Sequence, residues 1–269
     1  MRVKQKTIVV TGAASGIGRE LSLALLKKGA RVAALDINEE GLQETLSLSN
    51  DNGENMSLHT INITDKDAVS ALPEKIIEKH GSIDGLINNA GIIQPFVKVN
   101  DLEYDSIKKV IDINFWGVIY LTKGILPYLY KRSEAHIVNV SSMGGFLPVP
   151  GQTLYGASKA AVKLLTEGLY SELRDTNIRV TIVFPGAIAT NISSNSGLVD
   201  KEAEKQQTEE SSFKALPAPK AAEIIIKAIE KNKFRVCVGK DARTMDLLYR
   251  LFPKYATNMI AKKMATLLG

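Results

Sequence analysis

Apolar residues over the first 240 positions fall into short dense runs separated by longer amphipathic stretches. The run TIVVT at 7–11 is rich in β-branched residues, the pattern of a strand buried on both faces. Similar runs at 31–36, 56–61, 85–88, 136–141, 178–184 and 235–238 predict six more strands. Between them, apolar positions at helical spacing predict a helix through Leu21, Leu25 and Leu26 that stops at Gly29. Further helices are predicted at about 39–50, 66–80, 101–114, 117–131, 153–175 and 220–231, with Asp65 placed to start the second of these. Alternation of strand and helix throughout predicts an α/β fold, a doubly wound, mainly seven-stranded parallel sheet with helices on both faces.

Two stretches break the pattern. Residues 191–219 are polar and irregular, and so long an interruption in a compact domain predicts a substrate lid at about 190–219. Residues 241–269 form a basic amphipathic tail, which Pro253 divides into two short helices. Leu247, Leu248, Leu251 and Phe252 make an apolar face in the first, and Met259, Ile260, Met264, Leu267 and Leu268 in the second. Such faces either pack on protein, the body of the chain or a second subunit, or rest weakly on an anionic membrane surface, and packing is the expectation. The organisation expected is a single catalytic domain over 1–240 followed by this tail.

Composition narrows the function classes. The formal net charge of +5 is concentrated in the last thirty residues, where six basic residues face Asp241 and Asp246 and leave +4. The rest of the chain is close to neutral, so no nucleic-acid partner is expected. One cysteine, Cys237, sits in an apolar run and reads as a buried thiol; no intrachain disulfide is possible, and a cytoplasmic location is the default. The opening MRVKQK runs straight into a strand, which predicts no signal peptide, and no apolar run reaches membrane-spanning length. Three histidines without ligand spacing predict no metal.

The candidate chemistry gathers at the carboxyl ends of the predicted strands. The first strand runs into Gly12, Gly16 and Gly18 and then a helix, an arrangement that offers backbone N–H groups and a positive helix end to a phosphate. An ordinary glycine turn is the alternative. The second strand ends in Asp36, 18 residues past Gly18, near the spacing of a carboxylate that binds ribose hydroxyls; a strand-end turn residue is the alternative. The fourth ends in small and amide residues, 88–91 (NNAG), and Asn114 stands within an apolar stretch as a kink, a functional contact or a satisfied buried amide. The fifth brings Ser142, and the helix after it carries Tyr155 and Lys159 on one face, four residues apart. An ammonium beside a phenol favours the phenolate and lowers its pKa. A Tyr-x-x-x-Lys pair alone is weak, since Tyr104 and Lys108 repeat it without an upstream serine. In parallel sheets ligands bind beyond the strand carboxyl ends, where these residues converge.

Taken together, these motifs resemble the short-chain dehydrogenase/reductase family, with its Rossmann-like dinucleotide-binding fold, over roughly residues 5–239. TGAASGIG at 11–18 is similar to the family's cofactor loop and implies contacts from Gly12, Ser15, Gly16, Ile17 and Gly18. NNAG implies Asn89, Ala90 and Gly91, and PGAIAT at 185–190 implies Pro185, Gly186, Ile188 and the nicotinamide-contacting Thr190. Asn62, where the family commonly has an aspartate against adenine, is a departure, and Ile63 lies beside it. The resemblance implies hydride transfer between NAD and an alcohol or ketone, with Tyr155 as general acid or base. Lys159 would lower its pKa and hold the nicotinamide ribose; Ser142 would bind the substrate oxygen; Asn114 would hold a water linking Lys159 to solvent. It also implies a homodimer or homotetramer. Asp36, the uncharged Ser15 and Ile37 favour NAD over NADP, and apolar Ile93, Phe96, Met143, Phe146, Leu147, Pro148 and Val149 favour an uncharged substrate. An NADP-dependent carbonyl reductase and a non-catalytic nucleotide sensor of the same fold are the alternatives.

Overall fold

The computed structural model describes residues 1–199 and 215–265. Seven strands form one parallel sheet: β1 (Thr7–Thr11), β2 (Arg31–Asp36), β3 (Met56–Thr60), β4 (Gly85–Asn88), β5 (Ala135–Val140), β6 (Ile178–Pro185) and β9 (Arg235–Val238), in the order β3-β2-β1-β4-β5-β6-β9. A two-residue pair, β7 (Ile188–Ala189) and β8 (Leu216–Pro217), stands apart from it. The inner strands are buried on both faces because helices cover both, which is why their sequences read as apolar runs without alternation.

Helices α1 (Gly16–Lys27) and α8 (Ala218–Glu230) pack on one face through Leu21, Leu25, Ile225, Ile226 and Ile229. Helices α3 (Lys66–His80), α5 (Gly117–Leu129) and α6 (Thr153–Glu172) close the other through Leu72, Ile76, Leu121, Ile125 and Leu169. Asp65 caps α3 as its spacing predicts, accepting the N–H groups of Asp67 and Ala68 at 3.0 Å. The chain steps from β1 to β2 and β3 in one direction and from β4 onward in the other. The crevice therefore opens beyond β1 and β4.

Several boundaries differ from the sequence pattern. Helix α2 (Glu39–Ser47) stops earlier and gives way to a 3₁₀ segment at Asn50–Asn55, where Asn50 adopts a positive φ of 50°. The two helices expected at 101–114 and 117–131 are one continuous path: α4 (Tyr104–Ile111), a π turn at Asp112–Trp116, and α5. Asn114 is the reason the pattern looked broken, because the extra residue of the π turn rotates its amide out of the helix face and into the interior. Cys237 is half-buried rather than buried, and burial raises its thiol pKa. The expected lid is described only at its ends, with α7 (Ile192–Asn195) before and β8 after; its middle, 200–214, lies outside the described residues.

Pro253 does divide the C-terminal segment, into α9 (Lys240–Leu251) and α10 (Pro253–Lys263). One side packs on the body: Met245, Leu248, Tyr249, Ala256, Ile260 and Met264 gather around Leu147 with Met143, Phe146 and Val149. The expectation for Leu267 and Leu268 falls outside the described residues. No helix among the described residues is long and apolar enough to cross a membrane.

Candidate active site

The crevice is laced together before any ligand is considered. Thr11 Oγ1 at the end of β1 accepts the backbone N–H of Asn89 and of Ala90, each at 2.9 Å. Asn89 Nδ2 returns a bond to the Thr11 carbonyl at 2.9 Å. Gly18, opening α1, backs directly on the Gly12 carbonyl, where any side chain would collide. On the other side of β1, Asp36 Oδ2 accepts the Ala14 N–H at 3.0 Å and Oδ1 accepts the Asn38 N–H at 3.0 Å. Arg19, the nearest basic residue of α1, is engaged by Glu44 at 2.6 Å and by the Ala14 carbonyl.

Above these strand ends lies a cleft of about 670 Å³. Gly12, Ser15, Gly16, Ile17, Asp36, Asn62, Ile63, Asn89, Ala90 and Gly91 line one part of it. Ser142, Tyr155, Lys159, Pro185, Gly186, Ile188 and Thr190 line the rest. Gly18 and Asn114 are outside this lining. Gly18 shapes the turn, and Asn114 sits fully buried behind Gly91. The Asn114 Oδ1 accepts the Ile92 N–H at 2.9 Å, while its Nδ2 donates to the Ile92 carbonyl at 2.9 Å and to Ser158 Oγ at 3.0 Å. It thereby ties the loop after β4 to helix α6.

Ser142 follows β5, and Tyr155 and Lys159 lie on the first turns of α6. The Ser142 hydroxyl hydrogen-bonds the Tyr155 phenol and also accepts the Gly144 N–H at 3.0 Å. Lys159 is buried, its Nζ donating to the Val140 carbonyl at 3.1 Å. Burial disfavours the ammonium and brings its pKa down to about 8. The phenol does not behave as the sequence suggests. Burial pushes the Tyr155 pKa up, opposed by the Ser142 hydrogen bond, and Lys159 is not what governs it. A side chain at Gly91 would lie 2.9 Å from Lys159 Nζ and 3.1 Å from Asn114 Oδ1, so the bare glycine keeps open the space where those two groups meet.

Two residues carry weight that the sequence did not signal. Gln94 is fully buried, and its Oε1 accepts the N–H groups of Leu154 at 2.8 Å and Tyr155 at 3.0 Å. It caps α6 from a distance, since Gln152, at the N-cap position, makes no side-chain cap bond. The second is Asn195 of α7, whose Nδ2 donates to Ser15 Oγ at 2.8 Å across the mouth of the cleft. Neither position carries a local pattern that announces a partner 60 or 180 residues away.

A parallel sheet with a glycine turn and a strand-end carboxylate at its switch point is the arrangement of a dinucleotide crevice, here with a serine, a tyrosine and a lysine on the same cleft. Residues 6–200 match the family described as short chain dehydrogenase, and the chain belongs to that family. The SadH protein of Mycobacterium tuberculosis is 36% identical over 266 residues, covering 97% of this chain and 95% of its own. That alignment takes in the C-terminal helices, which lie beyond the family match. The 3-oxoacyl-[acyl-carrier-protein] reductase FabG of Thermotoga maritima is 40% identical over 192 residues, 71% of this chain and 77% of that protein. Among solved structures, a short chain dehydrogenase/reductase from Burkholderia phymatum in complex with NAD superposes with a TM-score of 0.82 at 24% identity, covering 93% of this chain and 96% of that one. A short chain dehydrogenase from Burkholderia cenocepacia in complex with NADP gives 0.80 at 24% identity, covering 97% and 99%. At that identity the two structures speak for the fold.

Proposed function

We propose that this chain transfers a hydride between NAD(H) and the carbon of a secondary alcohol or ketone, with Tyr155 passing the proton. The observation that carries the reading is the convergence of Ser142, Tyr155 and Lys159 on one cleft with the glycine turn and Asp36. These residues suit a nicotinamide dinucleotide. The α1 N-terminus and its turn would receive the pyrophosphate, the Asp36 carboxylate the adenosine ribose, and Lys159 the nicotinamide ribose. When bound, the dinucleotide supplies or accepts the hydride.

The remaining steps belong to the protein. Ser142 hydrogen-bonds the substrate oxygen and holds it beside the phenol. In reduction, Tyr155 gives its proton to that oxygen as hydride reaches the carbon; in oxidation it takes the proton back. Because burial raises its pKa, Tyr155 is protonated at neutral pH, the state that reduction of a ketone requires. Lys159 re-protonates the phenolate. One lone pair of Asn114 Oδ1 is left for the water that would link Lys159 to solvent.

NAD is favoured over NADP because Asp36 would repel a 2′-phosphate and Arg19 is already held by Glu44. Apolar Ile92, Ile93, Ile188 and Ile192 on the substrate side favour an uncharged, moderately apolar substrate. A homodimer or homotetramer fits the exposed Tyr104 and Trp116 at the two ends of the stretch from α4 through the π turn. The test is a panel of secondary alcohols and ketones assayed with both dinucleotides against wild type and Tyr155→Phe. Phe keeps the ring and removes the proton, so turnover should fall by ~10²-fold or more with NAD(H) affinity kept. Tyr104→Phe, fully outside the site, should be silent. Near-normal turnover in Tyr155→Phe, or no turnover by wild type across the panel, overturns the reading.

A further inference from the structure

The two C-terminal helices have two faces with different fates. Their inner face is spent on the body of the protein, against the Met143–Val149 segment that follows Ser142. It is locked there by polar contacts as well. Asp241 accepts the Ala187 N–H at 2.7 Å, and Asp246 pairs with Arg235, whose guanidinium lies 4.2 Å from the Phe184 ring centre.

The outer face is left exposed among the described residues. Leu247, Leu251, Phe252 and Tyr255 are 55%, 61%, 59% and 64% exposed. Leu247 and Leu251 are one turn apart, and Phe252 and Tyr255 continue the row across the break at Pro253, so the four form a contiguous patch. Arg243, Arg250, Lys254 and Lys262 stand exposed around it. Among the described residues from 241 onward the acids are Asp241 and Asp246; Asp241 is held on the inner side, and Asp246 pairs with Arg235 and also with Arg250 at 3.4 Å, so neither carboxylate is offered to a partner.

An apolar patch around which cations outnumber acids, with Arg250 alone of the four paired to Asp246, selects its occupant. A second copy docking by two-fold symmetry would bring like charges together with no carboxylate to meet them. A bilayer carrying anionic headgroups satisfies both halves at once, with acyl surface for the leucines and aromatics and phosphates for the cations. We propose that the outer face of α9 and α10 docks on an anionic lipid surface. The inner contacts keep the helices rigid, so the face is preformed and needs no refolding to bind.

Co-sedimentation of the full-length protein with vesicles tests this, using phosphatidylcholine alone and phosphatidylcholine mixed with phosphatidylglycerol. Wild type should partition onto the phosphatidylglycerol vesicles at least about tenfold more than onto neutral ones, and less as ionic strength rises. Leu251→Ser with Phe252→Ser, and separately Lys254→Glu with Lys262→Glu, should each lower that partitioning about tenfold or more. Melting temperature and sedimentation coefficient should be unchanged, because these side chains are exposed. Equal partitioning onto both vesicle types, or retained binding in either pair of variants, overturns the proposal. So does a lower sedimentation coefficient in the Leu251→Ser, Phe252→Ser protein when wild type binds no vesicles, which would make the face a contact between copies.

Discussion

Gln94 Oε1 accepts the backbone N–H of Tyr155 at 3.0 Å, so the loop after β4 sets the height of the helix that carries the proposed proton-transfer residue. The same oxygen takes the Leu154 N–H, and the Gln94 Nε2 donates to the Gly151 carbonyl at 3.0 Å. Gln94 is a positioning residue that acts through Tyr155. Gln94→Leu leaves two part-buried N–H groups without this acceptor, a cost toward the lower end of about 1–3 kcal/mol in stability. Turnover should fall by about tenfold as the phenol shifts, with the KM for NAD(H) within about twofold of wild type. Gln94→Glu keeps an acceptor at the positive helix end and should recover part of kcat. A loss shared equally by kcat and by cofactor KM would mean a purely structural role.

Ser142 and Tyr155 make the second prediction. The serine's hydrogen bond favours the phenolate and holds the phenol's pKa below where burial alone would put it. In the oxidative direction the phenolate is the active form, so kcat/KM should rise with pH. Ser142→Ala should lower the rate and carry that rising limb to higher pH. A pH–rate profile reads it directly; a limb displaced to lower pH contradicts the assignment.

The proposed preference for NAD rests on Asp36. Its carboxylate is fixed by the Ala14 and Asn38 N–H groups beside the glycine turn. Asp36→Ala should weaken NAD and relieve the repulsion of a 2′-phosphate, narrowing the ratio of kcat/KM for NAD over NADP by about tenfold or more. An NADP preference in the wild type would sink the assignment.

A buried histidine sets the acid side of stability. His136 is 1% exposed on β5, its Nε2 2.8 Å from Thr181 Oγ1, and burial lowers its pKa to about 3. The unfolded chain takes up this proton near pH 6.5 while the folded protein stays neutral, so stability falls as pH drops below about 6.5 and goes on falling toward 3. Between pH 6.5 and 5 that one group removes about 2 kcal/mol. Urea unfolding of wild type and His136→Gln at both pH values checks it: the variant's stability should depend less on pH by that amount.

The sheet and the order of its chemistry were legible because each rests on local signals. Buried strands wrote themselves as unbroken apolar runs such as TIVVT, and glycines marked the turn after β1. Ser142, Tyr155 and Lys159 were legible as residue types at a spacing, and the cleft does bring them together. What escaped depends on distance or burial. The capping role of Gln94 requires knowing that α6 begins beside the loop after β4. A break at Asn114 was legible, but that it is a π turn over Asp112–Trp116 within one continuous helical path was not. The direction of the Tyr155 shift was misread because an adjacent ammonium is visible in sequence, while the burial that outweighs it is a property of the packed site. In the C-terminal helices, period alone could not separate Leu248, which packs inward, from Leu247, which does not.

The two sides of the cleft are held by different forces. The dinucleotide side is laced by two side chains, the Thr11 hydroxyl and the Asn89 amide, bonded to main-chain groups of the neighbouring strand ends. Met143, Phe146 and Val149 pack away from the cleft on the C-terminal helices, while the opposite side is lined by Ile92, Ile93, Ile188 and Ile192. Residues there can be exchanged for others of similar volume without disturbing the Thr11 lacing. A lineage carrying this scaffold is thus free to drift in what it acts on while inheriting its nucleotide crevice unchanged.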